Sequence, residues 1–220
     1  MASFTPENAP TKLTMVDVNS AINSLGGPAK MARWAVRISP VGANNFLASM
    51  GYSQMLRDMT YLCEATELPG RGFDFVEARY YGAPFKVPRN TTYNSIDMTF
   101  LCRQQSFERQ LFDDWMEIIN PTNIWDFNYP TSYYCKIDVF QLAEYHKPQA
   151  AGSNQAPTEP DATYQWSLYQ AWPMLVNPQA VTWADQDILR LTVSFAYRYW
   201  SRPGRDTAAT GGTISISPQI

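Results

Sequence analysis

The sequence predicts a mainly β fold, a sandwich or barrel of about seven to eight strands with one flanking α-helix. Three observations carry this reading. In residues 188–200, ILRLTVSFAYRYW, the positions Leu189, Leu191, Val193, Phe195, Tyr197 and Tyr199 are apolar or aromatic. Arg190, Thr192, Ser194, Ala196 and Arg198 between them are polar or small, and a period of two over this length is a strand with one buried face. Similar alternating segments recur along the chain, separated by Pro and Gly turn signals. One long segment, Phe107–Ile119, switches instead to a helical period.

In chain order, residues 1–30 hold Pro6, Pro10, Pro28 and the pair Gly26–Gly27. They read as an N-terminal arm, with a short helix over 17–25 that places Val18, Ile22 and Leu25 on one face. Arg33–Ser39 alternates, with Trp34, Val36 and Ile38 on one side, and Pro40 ends it. Val41–Arg57 has no clean period and holds Gly42, Asn44, Asn45 and Gly51. It reads as a loop insertion, and loops of that length are usually functional or disordered. Thr60–Thr66 is the next expected strand, stopped by Leu68–Pro69–Gly70. Phe73–Tyr81 and Val87–Pro88 read as extended, with Gly82 and Pro84 between them.

Thr92–Cys102 is a clear strand, with Ile96, Met98, Phe100 and Cys102 on one face and Tyr93, Asp97 and Thr99 on the other. The helix follows. Ser106 is placed to cap it, and Phe107, Leu111, Trp115, Ile118 and Ile119 form one stripe. Phe107, Leu111, Trp115 and Ile119, with Val193 and Phe195 of the last long strand, are the expected structural core. Ser132–Leu142 is a further strand, with Tyr133, Cys135, Ile137 and Val139 inward. Residues 146–162 are rich in Pro, Gly, Ala, Gln and Ser and read as a second loop insertion. Thr163–Trp172 alternates and is expected to end at Pro173. Ala180–Ala184 is a short strand candidate. The main β domain is thus 31–200, and 201–220 is a C-terminal extension with a possible strand at 213–217.

Composition narrows the function. The chain has 220 residues and a formal net charge of −3, so bulk attraction to nucleic acid or an anionic membrane is not indicated. No export signal and no apolar run of ~20 residues is present, so neither that route of secretion nor membrane spanning is expected. Cys63, Cys102 and Cys135 form no CxxC and read as small apolar residues of a reducing compartment. His146 is the single histidine, which argues against His-based triads and His-containing metal sites. No phosphate-binding glycine motif occurs. Asp113, Asp114 and Glu117 fall opposite the apolar stripe of the helix and read as a solvated face. Asp185 and Asp187 read as turn residues. No cofactor and no catalytic set is expected. The aromatic surplus has two readings, core and subunit interface or a sugar-stacking platform; the second would make this a glycan-binding sandwich.

Further marks lie in YLCEATELPGR (61–71), NSIDMTFLC (94–102), FERQLFDDWMEII (107–119), YYCKIDVFQL (133–142) and the run from Tyr169 to Trp200. The Cys63–Pro69 strand exit, the helix with Phe112 and Trp115, and Trp172–Pro173 leading to Tyr199–Trp200 occur in an order that resembles the tail tube proteins of contractile-tailed phages. That family includes related tube-initiating proteins of the baseplate. The resemblance implies a tail-tube-like fold and a structural virion protein of the phage tail, made in the host cytoplasm. It implies a homo-hexamer, with rings stacking into a tube inside a contractile sheath. The implied partners are the sheath protein, baseplate and tail-terminator proteins, and the tape-measure protein and DNA in the lumen, with no membrane. On that reading the 41–57 insertion would serve ring stacking, through Asn44, Asn45, Phe46 and Tyr52. The alternative is a baseplate tube-initiator protein of the same fold. Arg190 and Arg198 share one strand face, so either that face does not line the lumen or acidic neighbours offset them.

Overall fold

The structure, a computed structural model, describes Ser20 and residues 29–42, 45–79, 81–142, 162–183 and 187–203. The chain divides into two compact units, 1–33 and 34–220. The second unit begins with β1 (Trp34–Pro40), α1 (Phe46–Ser49), α2 (Ser53–Leu62), β2 (Cys63–Thr66), β3 (Gly72–Ala78), β4 (Phe85–Thr92) and β5 (Ile96–Leu101). Then come α3 (Phe107–Ile119), α4 (Pro130–Tyr133), β6 (Cys135–Leu142), β7 (Ala162–Val176), β8 (Arg190–Ala196) and β9 (Tyr199–Ser201). The class is mainly β, as expected.

Seven strands form one antiparallel sheet in the order β1-β6-β7-β8-β5-β2, with β9 attached to β7. The 15-residue β7 organises it. Its first part, through Ala171, pairs with β6 and takes β9 at Ser167–Tyr169. Its last part, Trp172–Val176, pairs with β8. Between the two, Gln170 has φ +54, and the register slips between Pro173 and Leu175. A left-handed residue and a bulge bend a strand, and strands that bend this way pass from one sheet to another. The sheet is therefore folded into two leaves: β1, β6, β7 and β9; and β7, β8, β5 and β2. Pro173 does not end the strand as expected, because a bulge tolerates a residue without an N–H. Helix α2 packs on β1 and also reaches β2 and β5, so it spans between the two outermost strands.

The core lies between the leaves and under α3. Val36, Ile38, Ile137, Val139 and Leu168 come from one leaf, and Ile96, Met98, Phe100, Leu191, Val193 and Phe195 from the other. Leu111, Phe112, Trp115 and Ile119 of α3 complete it. The Phe112 ring lies 5.4 Å from Phe100 and 6.0 Å from Phe195, and Trp115 lies 6.2 Å from Phe195. Trp115 donates its indole N–H to the Tyr133 carbonyl at 2.9 Å, so its polar atom is satisfied inside an apolar site.

Several expectations are corrected. Phe107 is 40% exposed and is not core. Helical side chains lean toward the N-terminus, so the first residue of α3 leans past its end. Glu108 is the residue drawn inside, accepting from the Arg103 backbone N–H at 3.1 Å and its Nε at 2.5 Å. Ser106 sits at the N-cap position but in a left-handed conformation, and its side chain makes no capping bond. The 41–57 excursion is largely helical, as α1 and α2, broken at Gly51 with φ +77. Residues 60–62, expected as strand, continue α2, because Leu56 and Met59 hold that helix against the core. The long 188–200 strand breaks at Tyr197–Arg198 into β8 and β9, which have different neighbours. Residues 180–183 join no ladder. All of the expected 17–25 helix except Ser20, the 146–161 insertion with His146, and the 213–217 strand lie outside the described residues. Among the described residues no helix is long and apolar enough to cross a membrane.

Candidate assembly surface

Between β2 and β5 the chain leaves the body as a separate two-stranded sheet, β3–β4. The pairing runs from Gly72 opposite Thr92 to Ala78 opposite Phe85, with a register shift at Asp74/Phe75. Every residue of β4, and every residue of β3 except Ala78, is exposed. The exposed residues include Phe73 (58%), Phe75 (54%), Val76, Phe85 (52%) and Val87. Alternation puts Phe73, Phe75 and Pro88 on one face and Val76, Val87 and Phe85 on the other, so both faces are apolar. Arg71 lies 5.0 Å from the Phe73 ring centroid and Lys86 4.3 Å from that of Phe75. Each cation covers part of one ring and leaves the rest to solvent. Near the base of the hairpin, the Trp200 indole N–H donates to the Gly70 carbonyl at 3.0 Å.

A lone hairpin is marginal in water, and an exposed apolar group of this extent makes it a candidate contact surface. A second exposed group follows α3: Ile124, Trp125, Phe127 and Tyr129, with Trp125 at φ +59. On the side of β1 that no described strand pairs, a cleft of about 560 Å³ shared with α2 is lined by Arg37, Ser39, Arg57 and Tyr61 among others.

The suspected ring-stacking residues lie elsewhere. Asn44 is outside the described residues. Asn45 is fully buried; its Oδ1 caps α1 by accepting from Leu47 N at 3.0 Å, and its Nδ2 donates to the Tyr134 carbonyl at 2.5 Å. Phe46 is buried 5.9 Å from the Trp115 ring. Tyr52 donates its hydroxyl to Asp114. Burial, and then that carboxylate, push the Tyr52 phenol up to about 12. These side chains knit α1 and α2 to α3. Sequence reading missed the hairpin as a unit. The available signal was Phe73, Phe75, Val76, Phe85 and Val87 crowding a charged stretch with no inside–outside period.

The remaining polar candidates are spent on structure. Asp113 takes Arg109 at 2.9 Å, and Glu117 accepts from Thr122. The three cysteines are free thiols. Burial pushes Cys63 up to about 12 and Cys135 well above its ordinary value. Among the described residues no group of three His, Cys, Asp or Glu side chains is placed to hold a metal.

The outward face of the β7–β8–β5–β2 leaf has a different character. Glu64 accepts from Arg190 Nε at 2.6 Å and from its Nη2 at 3.3 Å, reaching across β5. Thr99 and Thr192 share a hydrogen bond at 3.2 Å, and Ser194 donates to Asp97 at 2.5 Å. Arg198 lies beyond the strand break and donates to Gln170 Oε1 at 3.3 Å.

Among solved structures, the chain is similar to one in the sheath–tube complex of an extracellular contractile injection system in its extended state. The identity is 13% and the TM-score 0.54, over 87% of this chain and 98% of the other. A chain of that system's sheath/tube terminator is similar at 13% identity and TM-score 0.52, over 81% and 98%. A chain of the anti-feeding prophage baseplate is similar at 12% identity and TM-score 0.50, over 80% and 95%. Likeness at these identities is one of fold. No curated protein matches the chain in sequence. Residues 29–203, which enclose the whole folded sheet and its hairpin, match the profile of phage tail tube proteins, and the chain belongs to that family.

Proposed function

We propose that this chain forms hexameric rings that stack into a tail tube inside a contractile sheath, and that DNA and a tape-measure protein pass through its lumen. Membership of the family makes it a structural, non-enzymatic part of a virion tail; the ring, the sheath and the cargo are the proposal. The observation that carries it is the β3–β4 hairpin, which exposes apolar residues on both faces and has no extensive contact with another element among the described residues. A neighbouring copy supplies what the hairpin lacks. A contact between different surfaces of identical subunits closes into a ring when the rotation allows. Strands from six subunits would enclose a wide channel, since barrel diameter grows with strand number.

The fold neighbours come from a sheath–tube complex, a tube terminator and a baseplate. They support sheath, terminator and baseplate proteins as partners here, with assembly following synthesis in the host cytoplasm. The baseplate likeness also favours a second reading, a tube-initiator protein of the same fold present as a single ring. Negative-stain microscopy of the concentrated protein tests the first reading and should show sixfold rings or tubes. A strictly monomeric particle at high concentration overturns it. Copy number per tail separates the two readings, since a tube protein fills many rings and an initiator one.

A further inference from the structure

We propose that the outward face of the β7–β8–β5–β2 leaf is the wall that DNA passes, and that the Glu64–Arg190 pair keeps this wall from gripping its cargo. The inference rests on the tube reading. Its own ground is the difference between the two outward faces of the folded sheet.

The β1–β6–β7–β9 leaf shows a basic, aromatic outer side. Arg37 and Lys136 flank a single carboxylate, Asp138, which pairs with Lys136 at 2.9 Å and also accepts from Ser167 at 2.5 Å and Gln165 at 3.1 Å, so two cations share one carboxylate. Tyr169 and Tyr199 stack there with centroids 4.9 Å apart. Cations interleaved with aromatic rings are the composition that holds nucleic acid. On the outward side of the other leaf, the described residues of β2, β5 and β8 present a single cation and no aromatic ring. The polar residues there are Glu64, Asp97, Thr99, Arg190, Thr192 and Ser194, with one cation against two carboxylates. Arg190 is held by two bonds to Glu64, its Nη1 contacts the Ile188 carbonyl at 3.5 Å, and Asp187 adds a further negative charge nearby. The hydroxyls of Thr99, Thr192 and Ser194 are engaged with partners on the same face.

A phosphate moving along β2, β5 and β8 meets no uncompensated cation among the described residues, and hydroxyls that are already engaged with one another or with Asp97. The consequence multiplies with assembly. An uncompensated arginine at this position would recur in every subunit of every ring, and DNA affinity grows steeply with the number of phosphates neutralised. Glu64 removes that attraction at its source.

The test uses tubes assembled from the full chain. Thr192→Cys in a Cys63→Ser/Cys102→Ser background, labelled with a gold-bearing maleimide, should place density inside the channel by electron microscopy, and the same background without Thr192→Cys should stay unlabelled. Tubes of wild type, Glu64→Gln and Glu64→Gln/Arg190→Gln are then sedimented with a fluorescent double-stranded DNA oligonucleotide at low salt. Glu64→Gln tubes should retain on the order of tenfold more DNA than wild type, with the excess lost as salt rises, and the double variant should return to the wild-type level. Thr99→Lys adds an unpaired cation to the same face with Glu64–Arg190 intact, and should give the same gain if Glu64→Gln assembles poorly. Gold on the outer wall overturns the inference while leaving the tube standing. So does unchanged DNA retention in both unmasking variants. Failure of the wild-type chain to form any ring or tube sinks the parent reading, and this one with it.

Discussion

Tyr197 is buried at the end of β8 with its ring 6.1 Å from that of Tyr93, and its hydroxyl has no hydrogen-bond partner among the described residues. An unsatisfied buried hydroxyl costs roughly 1–3 kcal/mol, while its ring still contributes apolar burial. Tyr197→Phe is therefore expected to leave stability unchanged or raise it by about 1 kcal/mol in chemical denaturation. A clear loss would show that the hydroxyl has a partner in the folded protein. Trp115 is the opposite case, with both its ring and its N–H satisfied. Trp115→Ala should cost about 3–5 kcal/mol through the cavity it leaves, and more if the Tyr133 carbonyl is stranded. A melting curve like that of wild type would remove Trp115 from the core.

At the scale of elements, the hairpin and the sheet make separable contributions. Phe73 and Phe75 touch solvent and a cation, not the core, so Phe73→Asp/Phe75→Asp should leave the melting temperature close to that of wild type, within roughly 0.5 kcal/mol. The same variant should not polymerise, which light scattering at high concentration would read. Polymers that persist would place the contact on another surface, with the 124–129 group the next choice. How far each element could be read from sequence follows from burial. β5, β6 and β8 were legible because one face is buried and one is not, which imposes a period of two. The 13-residue α3 was legible because it is long enough to repeat its stripe. α1 is too short to show a period, and α2 carries Thr60 and Tyr61, whose strand preference tertiary packing overrides. The hairpin has no buried side at all, so no pattern marked it, and the burial of Asn45 and Phe46 was hidden by the lack of a period in 41–57.

Across the whole molecule, stability should fall in alkali. Tyr52 and Tyr197 are raised from 10.0 to about 12 and Cys63 from 9.0 to about 12, each chiefly by burial, and burial also holds Cys135 well above its ordinary value. In every case the folded chain keeps a proton that the unfolded chain releases. The stabilisation is complete below the unfolded values and is lost as pH climbs through the folded ones, so the sensitive window is about 9–12. The denaturant midpoint should hold steady from pH 7 to about 9 and then decline toward 12. A flat midpoint up to about pH 11.5 would show that these groups are open to solvent.

One backbone, β7, is a member of both walls. In a sandwich held by packing alone, one wall can creep over the other with side chains exchanging neighbours. Here any such creep must drag a continuous covalent strand through its own bend at Gln170. The two walls are stitched against sliding, so a push received on one is delivered to the other without slack.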